Sequence, residues 1–404
     1  MTEAEVQSVL SYLTGQREGM VDLLRKLTLI ESPSDDAAAI APLLSTVTFE
    51  LKECDMSVRH WRGRRSAGTL CAHRRKREKG SPLQLLVGHC DTVWPLGTLR
   101  KMPVRLESDT LWGPGVFDMK AGLVQMIYAL RTLMQLGLRP PADPVAVVNS
   151  DEEIGSPDST PLIRRLARCA PRAFILEPAF SQDGKLKTGR KASGDFTIIV
   201  RGRAAHAGIN PEEGASAILE MSYQIQKLFA LNDAARGITV NVGTIDGGVR
   251  STVVAPEVRA DVDVRVRTQA DALEVAAAIR GLKPINPDTT IEITGGIDQW
   301  PMEQNARNQS LWRQAQQLGR RLGLELQQAA VGGSSDGNTT SRYTATLDGL
   351  GAVGDGAHAE HEHVVVSRMV ERCALLVLLL MAPLDARSPA MQQKQATTLS
   401  GADT

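Results

Sequence analysis

Apolar positions along this chain fall into two rhythms. In the first part they form short continuous runs separated by helical stretches. "SPLQLLVGHCDTV" (81–93), Val145–Val148 and "RAFILEP" (172–178) each hold an apolar run too short for a helix, and each ends in a loop signal or at Pro178. Between them, Leu123, Met126, Ile127, Leu130 and Met134 recur at helical spacing over Met119–Leu136, and Gly137 closes that helix. Val21–Ile30 reads as the end of an earlier helix. Continuous apolar strands alternating with helices predict an α/β layer whose sheet is covered on both faces.

The middle of the chain alternates instead. "DFTIIVRG" (195–202) and "GITVNVGTI" (237–245) read as strands. In "EVRADVDVRVR" (257–267), Val258, Val262, Val264 and Val266 face one way, and Asp261, Asp263, Arg265 and Arg267 the other. A helix is predicted over Pro211–Leu231, with Ile218, Met221, Ile225 and Leu228 on its apolar face. A helix over 269–282 and a strand over 289–294 complete a βαββαβ order, the ferredoxin-like split motif. Helix–strand alternation resumes near residue 302. The expected organisation is a larger α/β domain in two parts, 1–188 and 299–385, with a small α+β domain, 189–298, inserted between them. The polar tail 386–404 is expected to be disordered.

Composition narrows this picture. With 404 residues, two domains are the natural expectation. The 46 basic residues balance the 46 acidic ones, which argues against nucleic-acid and charged-membrane partners. The basic segment "HRRKREKG" (73–80) lacks interleaved aromatics and reads as a hairpin tip. No apolar run reaches membrane-spanning length, and the acidic, amphipathic N-terminus does not resemble a signal peptide. Five scattered cysteines, an odd number, argue for a reducing compartment, and the expected location is the cytoplasm.

Candidate chemistry sits just past the apolar strands or at helix starts: His89 and Asp91, Asp118, the run Asp151–Glu153, Glu177, and His358 with His361 and His363 nearby. Strand ends on one edge of an α/β sheet are where such folds build sites. Adjacent carboxylates repel one another unless a divalent cation inverts the local electrostatics. Histidines with several carboxylates and no cysteine ligand suit zinc, and cobalt or manganese also fit. Each residue also has a plain reading: Asp118 as an N-cap, Asp151–Glu153 as a solvated loop, Glu177 as a surface turn, His361 and His363 as a solvated stretch. Cys90 reads as a packed thiol pointing away from His89 and Asp91.

Together, "GHCDTVWPLG", "LWGPGVFDMKAG", "SDEEIGS", "GRAAHAGINPEEGASAI", "GGSSDGN" and "DGLGAVGDGAH" resemble the zinc aminoacylase and carboxypeptidase family, and within it the glutamate carboxypeptidase branch. The resemblance runs from about residue 20 to 382. It implies a di-zinc exopeptidase catalytic domain with a central mixed sheet and a lid domain that also forms a homodimer. It implies two zinc ions per subunit. His89, Asp118 and Glu177 would hold one; Asp118, Glu153 and His358 would hold the other, with Asp118 shared. Asp91 would orient His89, and Glu152 would be the general base. His206 would enter the neighbouring subunit's site and stabilise the oxyanion, and Arg265 would bind the substrate carboxylate. Thr252 stands where relatives usually carry a substrate-holding asparagine, which leaves substrate identity open. The expected activity is hydrolysis of the amide bond of N-acyl amino acids or dipeptide-like substrates with a free C-terminal carboxylate. The alternatives are a deacylase preferring a non-glutamate amino acid and a non-catalytic metal-binding dimer.

Overall fold

The computed structural model describes residues 1–77 and 80–384; the expected tail lies outside them. The described chain divides into two compact units, one of Met1–Thr188, Gln304–Ala330 and the described residues from Ser335 on, the other of Gly189–Glu303 and Val331–Ser334.

The first unit is built on a six-stranded mixed sheet in the order Met56–Trp61, Thr69–Arg74, Asp143–Asn149, Leu83–His89, Arg172–Ile175, Ala345–Leu347. The last four run parallel, and the first two are antiparallel additions at one edge. The continuous apolar runs are explained by burial on both faces. Leu86, Ala146, Val148 and Phe174 enter a large core shared with the helices Ala121–Gln135 and Val366–Met381, while Leu85, Val87, Val145, Val147, Ala173 and Ile175 enter a second core with Ile163 and Ala167 of the helix Thr160–Ala167. Each fully buried large apolar side chain contributes about 1.5–3 kcal/mol relative to exposure. Helix Ala121–Gln135 is buried almost all round, although Met134, expected on its apolar face, is 37% exposed.

The strand register gathers the chemistry at one edge. His89 pairs with Asn149 in parallel, and Val87 pairs with Ile175. The residues just past all three strands, Asp91, Asp151–Glu153 and Glu177, therefore leave the sheet at the same edge. A small antiparallel sheet of Arg105–Glu107, Thr110–Trp112, His363–Val365 and Gly354–Asp355 carries the loop with His358.

The basic segment is not a hairpin tip. It leaves the strand Thr69–Arg74 and leads to Leu83–His89, and the strand Asp143–Asn149 lies between those two. The described part of the segment is a crossover, anchored where Arg77 Nε donates to Asp143 at 3.2 Å; positions 78–79 lie outside the described residues.

The second unit is a four-stranded antiparallel sheet ordered Thr239–Gly247, Glu257–Val266, Ala192–Arg201, Thr290–Gln299, with helices Ala217–Phe229 and Gln269–Arg280. This is the strand arrangement of the split βαββαβ motif. Val258, Ala260, Val262, Val264 and Val266 are all buried, as alternation requires. The first helix starts later than its pattern suggests. Gly214 is extended, Ser216 caps the helix by accepting from Leu219 N–H, and Pro211–Glu213 forms a separate turn. Ile218, expected on the apolar face, falls in the first turn and is 47% exposed, while Glu220 is buried.

Candidate metal centre

His89 closes a buried strand and is 1% exposed. Its Nδ1 lies 3.0 Å from the Asp91 backbone carbonyl and 3.4 Å from Asp91 Oδ1. That leaves Nε2 facing Asp118 Oδ1 at 3.3 Å and Glu177 Oε1 at 3.5 Å. Asp91 does more than orient this ring. It accepts from Ser34 Oγ–H at 2.7 Å and from the backbone N–H groups of Glu152 and Glu153 at 3.3 and 3.1 Å. One buried carboxylate thus ties the first strand end to the acidic turn of the next.

The plain reading of Asp118 fails. The helix Ala121–Gln135 has Lys120 at its N-cap position with no side-chain cap, and Asp118 lies before it in extended backbone (φ −113°, ψ 95°). Its two carboxylate oxygens face different histidines: Oδ1 faces His89, and Oδ2 faces His358 Nε2 at 3.4 Å. His358 also faces Glu153 Oε2 at 3.1 Å. The three acids of the turn part ways. Asp151 accepts from the N–H groups of Asp158 and Ser159 and so fixes the turn leading to the next helix. Glu152 offers an oxygen within 4.8 Å of ligand atoms of His89 and Glu177, and Glu153 one within the same span of His89 and Asp118. Cys90 is fully buried, and burial pushes its thiol pKa up.

The electrostatics call for a cation. No lysine or arginine among the described residues pairs with Asp118, Glu152 or Glu153, and Glu153 Oε1 is buried without a hydrogen-bond partner. Burial and the adjacent Glu177 hold the Glu152 carboxyl well above its ordinary range, and burial raises Glu153. Burial opposes the charge of Asp118, but hydrogen bonds with His358 and His89 outweigh it and hold its carboxyl low. The same contacts with Asp118, and that with Glu153, push the His358 ring up to about 10. In short, Asp118, Glu152 and Glu153 crowd around two histidines. A donor set of imidazole and carboxylate groups, with a buried oxygen left over, fits a divalent metal such as zinc.

Two carboxylates escaped the sequence reading. Asp336 is buried, accepts from Asn149 Nδ2 at 2.8 Å and Ser156 Oγ at 2.7 Å, and is pushed by burial up to about 6. It lies in the quoted "GGSSDGN", but nothing local marks it as a brace for a distant turn. The second is Glu362. The stretch around it was expected to be solvated; His361 is exposed, yet Glu362 is 1% exposed. The His363 ring stacks against Trp112, with centroids 4.5 Å apart. A histidine–acid alternation gives no hint of this, because burial of Glu362 depends on a loop some 240 residues earlier in the chain.

The remaining candidates lie in the second unit. His206 is exposed; its Nδ1 accepts from Gly208 N–H at 3.1 Å, so a neutral ring carries its proton on Nε2. Local backbone thus satisfies one ring nitrogen only. Thr252 is close in the fold, since its carbonyl accepts from Ala207 N–H at 3.0 Å. Arg265 forks onto Asp263 two residues earlier on its strand, with Nε to Oδ1 at 2.9 Å.

Known proteins share this plan. Carboxypeptidase G2 of Pseudomonas sp. (strain RS-16) is 27% identical over 385 residues, 91% of this chain and 90% of that protein. Among solved structures, the aminopeptidase PepT of Bacillus cereus superposes with a TM-score of 0.74 at 20% identity, covering 90% of this chain and 98% of that one. A dinuclear metal binding peptidase from Bacillus subtilis gives 0.68 at 12% identity, over 91% and 98%. The family described as peptidase family M20/M25/M40 matches residues 85–382, and the chain belongs to that family as a metal-dependent hydrolase of peptidase type.

Proposed function

We propose that this protein hydrolyses the amide bond of N-acyl amino acids or dipeptide-like substrates that end in a free carboxylate, using two divalent ions, zinc in the first instance. One observation carries the reading: a single carboxylate, Asp118, turns one oxygen to His89 and the other to His358. In this reading His89, Asp118 and Glu177 hold one ion, and Asp118, Glu153 and His358 the other. The similarity to carboxypeptidase G2 and to a dinuclear metal binding peptidase supports it.

When bound, the ions polarise the scissile carbonyl and bring the pKa of water toward neutrality. The protein does the rest. Glu152 takes the proton of the attacking water and returns it to the leaving amine. In this reading Glu152 is the carboxylate beside His89 and Glu177 that holds no ion and is left to act on the water. Asp91 keeps Glu152 in place through its backbone N–H and keeps His89 in one orientation. Arg265 clamps the substrate carboxylate as a fork. The second unit acts as a lid and pairs with its counterpart in a homodimer, so that the partner's His206 donates from Nε2 to the oxyanion. A group of that kind is worth roughly 2.7–4 kcal/mol. The free cysteines support a cytoplasmic location. Among the described residues no helix is long and apolar enough to cross a membrane.

Metal analysis of the purified protein, followed by turnover on acyl-Glu, acyl-Asp, acyl-Phe and acyl-ornithine with zinc, cobalt or manganese, tests the proposal. Two ions per chain and amide hydrolysis are expected; absence of both overturns it. Thr252 favours one second reading, a deacylase that prefers an amino acid other than glutamate. Threonine has one side-chain donor and is shorter than the usual asparagine. Faster turnover of acyl-Phe or acyl-ornithine would select that reading.

A further inference from the structure

We infer that Glu362 is a positioning residue for the two-ion centre, setting the place of Asp118 and of the His358 loop relative to one another.

The geometry is specific. Glu362 is 1% exposed, and each of its carboxylate oxygens accepts two N–H donors, drawn from the loop at Trp94 and the segment Gly115–Asp118. Oε2 accepts from Trp94 Nε1–H at 2.8 Å and Gly115 N–H at 2.7 Å. Oε1 accepts from Phe117 N–H at 2.9 Å and from Asp118's own N–H at 3.0 Å. The backbone of Glu362 adds two more ties. Its carbonyl accepts from Gly113 N–H at 3.2 Å, and its N–H donates to Ala359, the residue after His358. The His358 loop is also folded closely on itself. A Cβ on Gly356 would lie 2.8 Å from the Glu362 Cα, and Gly356 has φ +81°, so only glycine fits that turn.

The two histidines are held differently, and that sets the consequence. Nδ1 of His89 is fixed by Asp91, independently of Glu362. His358 sits on a loop with a half-exposed side chain, and its place relative to Asp118 runs through the Glu362 bridge. Both ions need Asp118, but the second needs Asp118 and His358 together. Loss of the bridge therefore weakens the second ion more than the first. Hydrogen bonds that orient a ligand rather than bind the metal typically matter 10–100-fold in affinity.

The inference rests on the two-ion assignment proposed above, and the experiment separates the two. Zinc affinities of both sites are measured by competitive chelator titration in wild type, Glu362→Gln and Glu220→Gln. Glutamine keeps the volume of Glu362 but turns one acceptor into an NH2 donor, so one pair of N–H groups meets a donor. The expected result in Glu362→Gln is a second-ion affinity lower by about 10–100-fold and a first-ion affinity lowered by a smaller factor. Glu220 is equally buried and accepts backbone N–H groups of Ile285 and Asn286 in the other unit, so its variant controls for simple loss of stability and leaves both affinities unchanged. If Glu362→Gln does not fold, Glu362→Asp carries the same test, since one methylene less reaches only one donor pair. Unchanged second-ion affinity, equal weakening of both ions, or selective weakening in Glu220→Gln overturns the role of Glu362. A wild type that takes up only one ion overturns the two-ion assignment and this inference with it.

Discussion

The two histidines of the centre are held in opposite ways. His89 ends a strand buried on both sheet faces, and Asp91 grips its second ring nitrogen. His358 sits in a loop with a left-handed backbone (φ 61°), its side chain is 52% exposed, and among the described residues its ring pairs with Asp118 and Glu153. One half of the centre is thus pre-formed by the core, and the other is held by loop contacts. Pre-formed ligands lose little freedom on binding; loop ligands must be ordered at that moment. In the two-ion reading, the half at His89 is the tighter one.

The largest expected effect comes from removing what the two halves share. Asp118→Ala should empty both sites and reduce turnover to background, because without the shared carboxylate the repulsion between two cations is unshielded. Two tightly held ions in that variant, by metal analysis, would break the bridging assignment and the comparison with it. Glu152→Gln should be milder and cleaner. Metal content stays at the wild-type level while kcat falls on the order of 10²–10⁴-fold; wild-type kcat would place the base elsewhere.

The lid reading is tested by exchange. His206→Ala and Glu152→Gln chains, each strongly impaired, should regain activity when mixed, because one site of a mixed dimer then has its own Glu152 and the partner's His206. No recovery despite proven exchange would assign His206 to its own chain or to no catalytic role. Next comes the comparison itself. A chelator titration of wild type should release the two ions in separate steps, with affinities at least about tenfold apart, or roughly 1.4 kcal/mol. In His358→Ala only the weaker step should vanish. A single step in wild type would mean that the loop is as well ordered as the strand.

The smallest effect lies outside the centre. Burial raises the pKa of Glu220, but hydrogen bonds from Asn286, Ile285 and Gln224 outweigh it, so the folded value lies below the ordinary one. The carboxylate's contribution is therefore present above the unfolded pKa of about 4.3 and fades as pH falls through the folded value. Glu220→Gln should cost about 1–3 kcal/mol of unfolding free energy at neutral pH, with the difference from wild type shrinking in acid. A pH-independent difference in denaturant melts would show that the charge is not what stabilises that loop.

Much of this protein was legible in the sequence. The continuous runs at Leu85–Val87 and Val145–Val148 predict strands buried on both faces, and the alternation in 257–267 predicts a one-sided sheet, because side-chain period follows directly from backbone geometry. Strand ends and helix starts also point to candidate chemistry at His89 and Asp91, Asp118, Asp151–Glu153, Glu177 and His358; which of these are expected to hold metal comes from the family resemblance. What needed the tertiary structure was every relation between distant segments. The segment 73–80 reads locally as a hairpin tip, yet its described part is a crossover, because Asp143–Asn149 lies between two strands that are adjacent in sequence. The exposure of Ile218 depends on where Ser216 starts its helix. The burial of Glu362 depends on N–H groups of residues 94–118, and that of Asp336 on Asn149 and Ser156. A local pattern records which residues prefer the interior. It does not record which distant donor will satisfy a buried carboxylate, because that pairing exists only once the loops have been brought together.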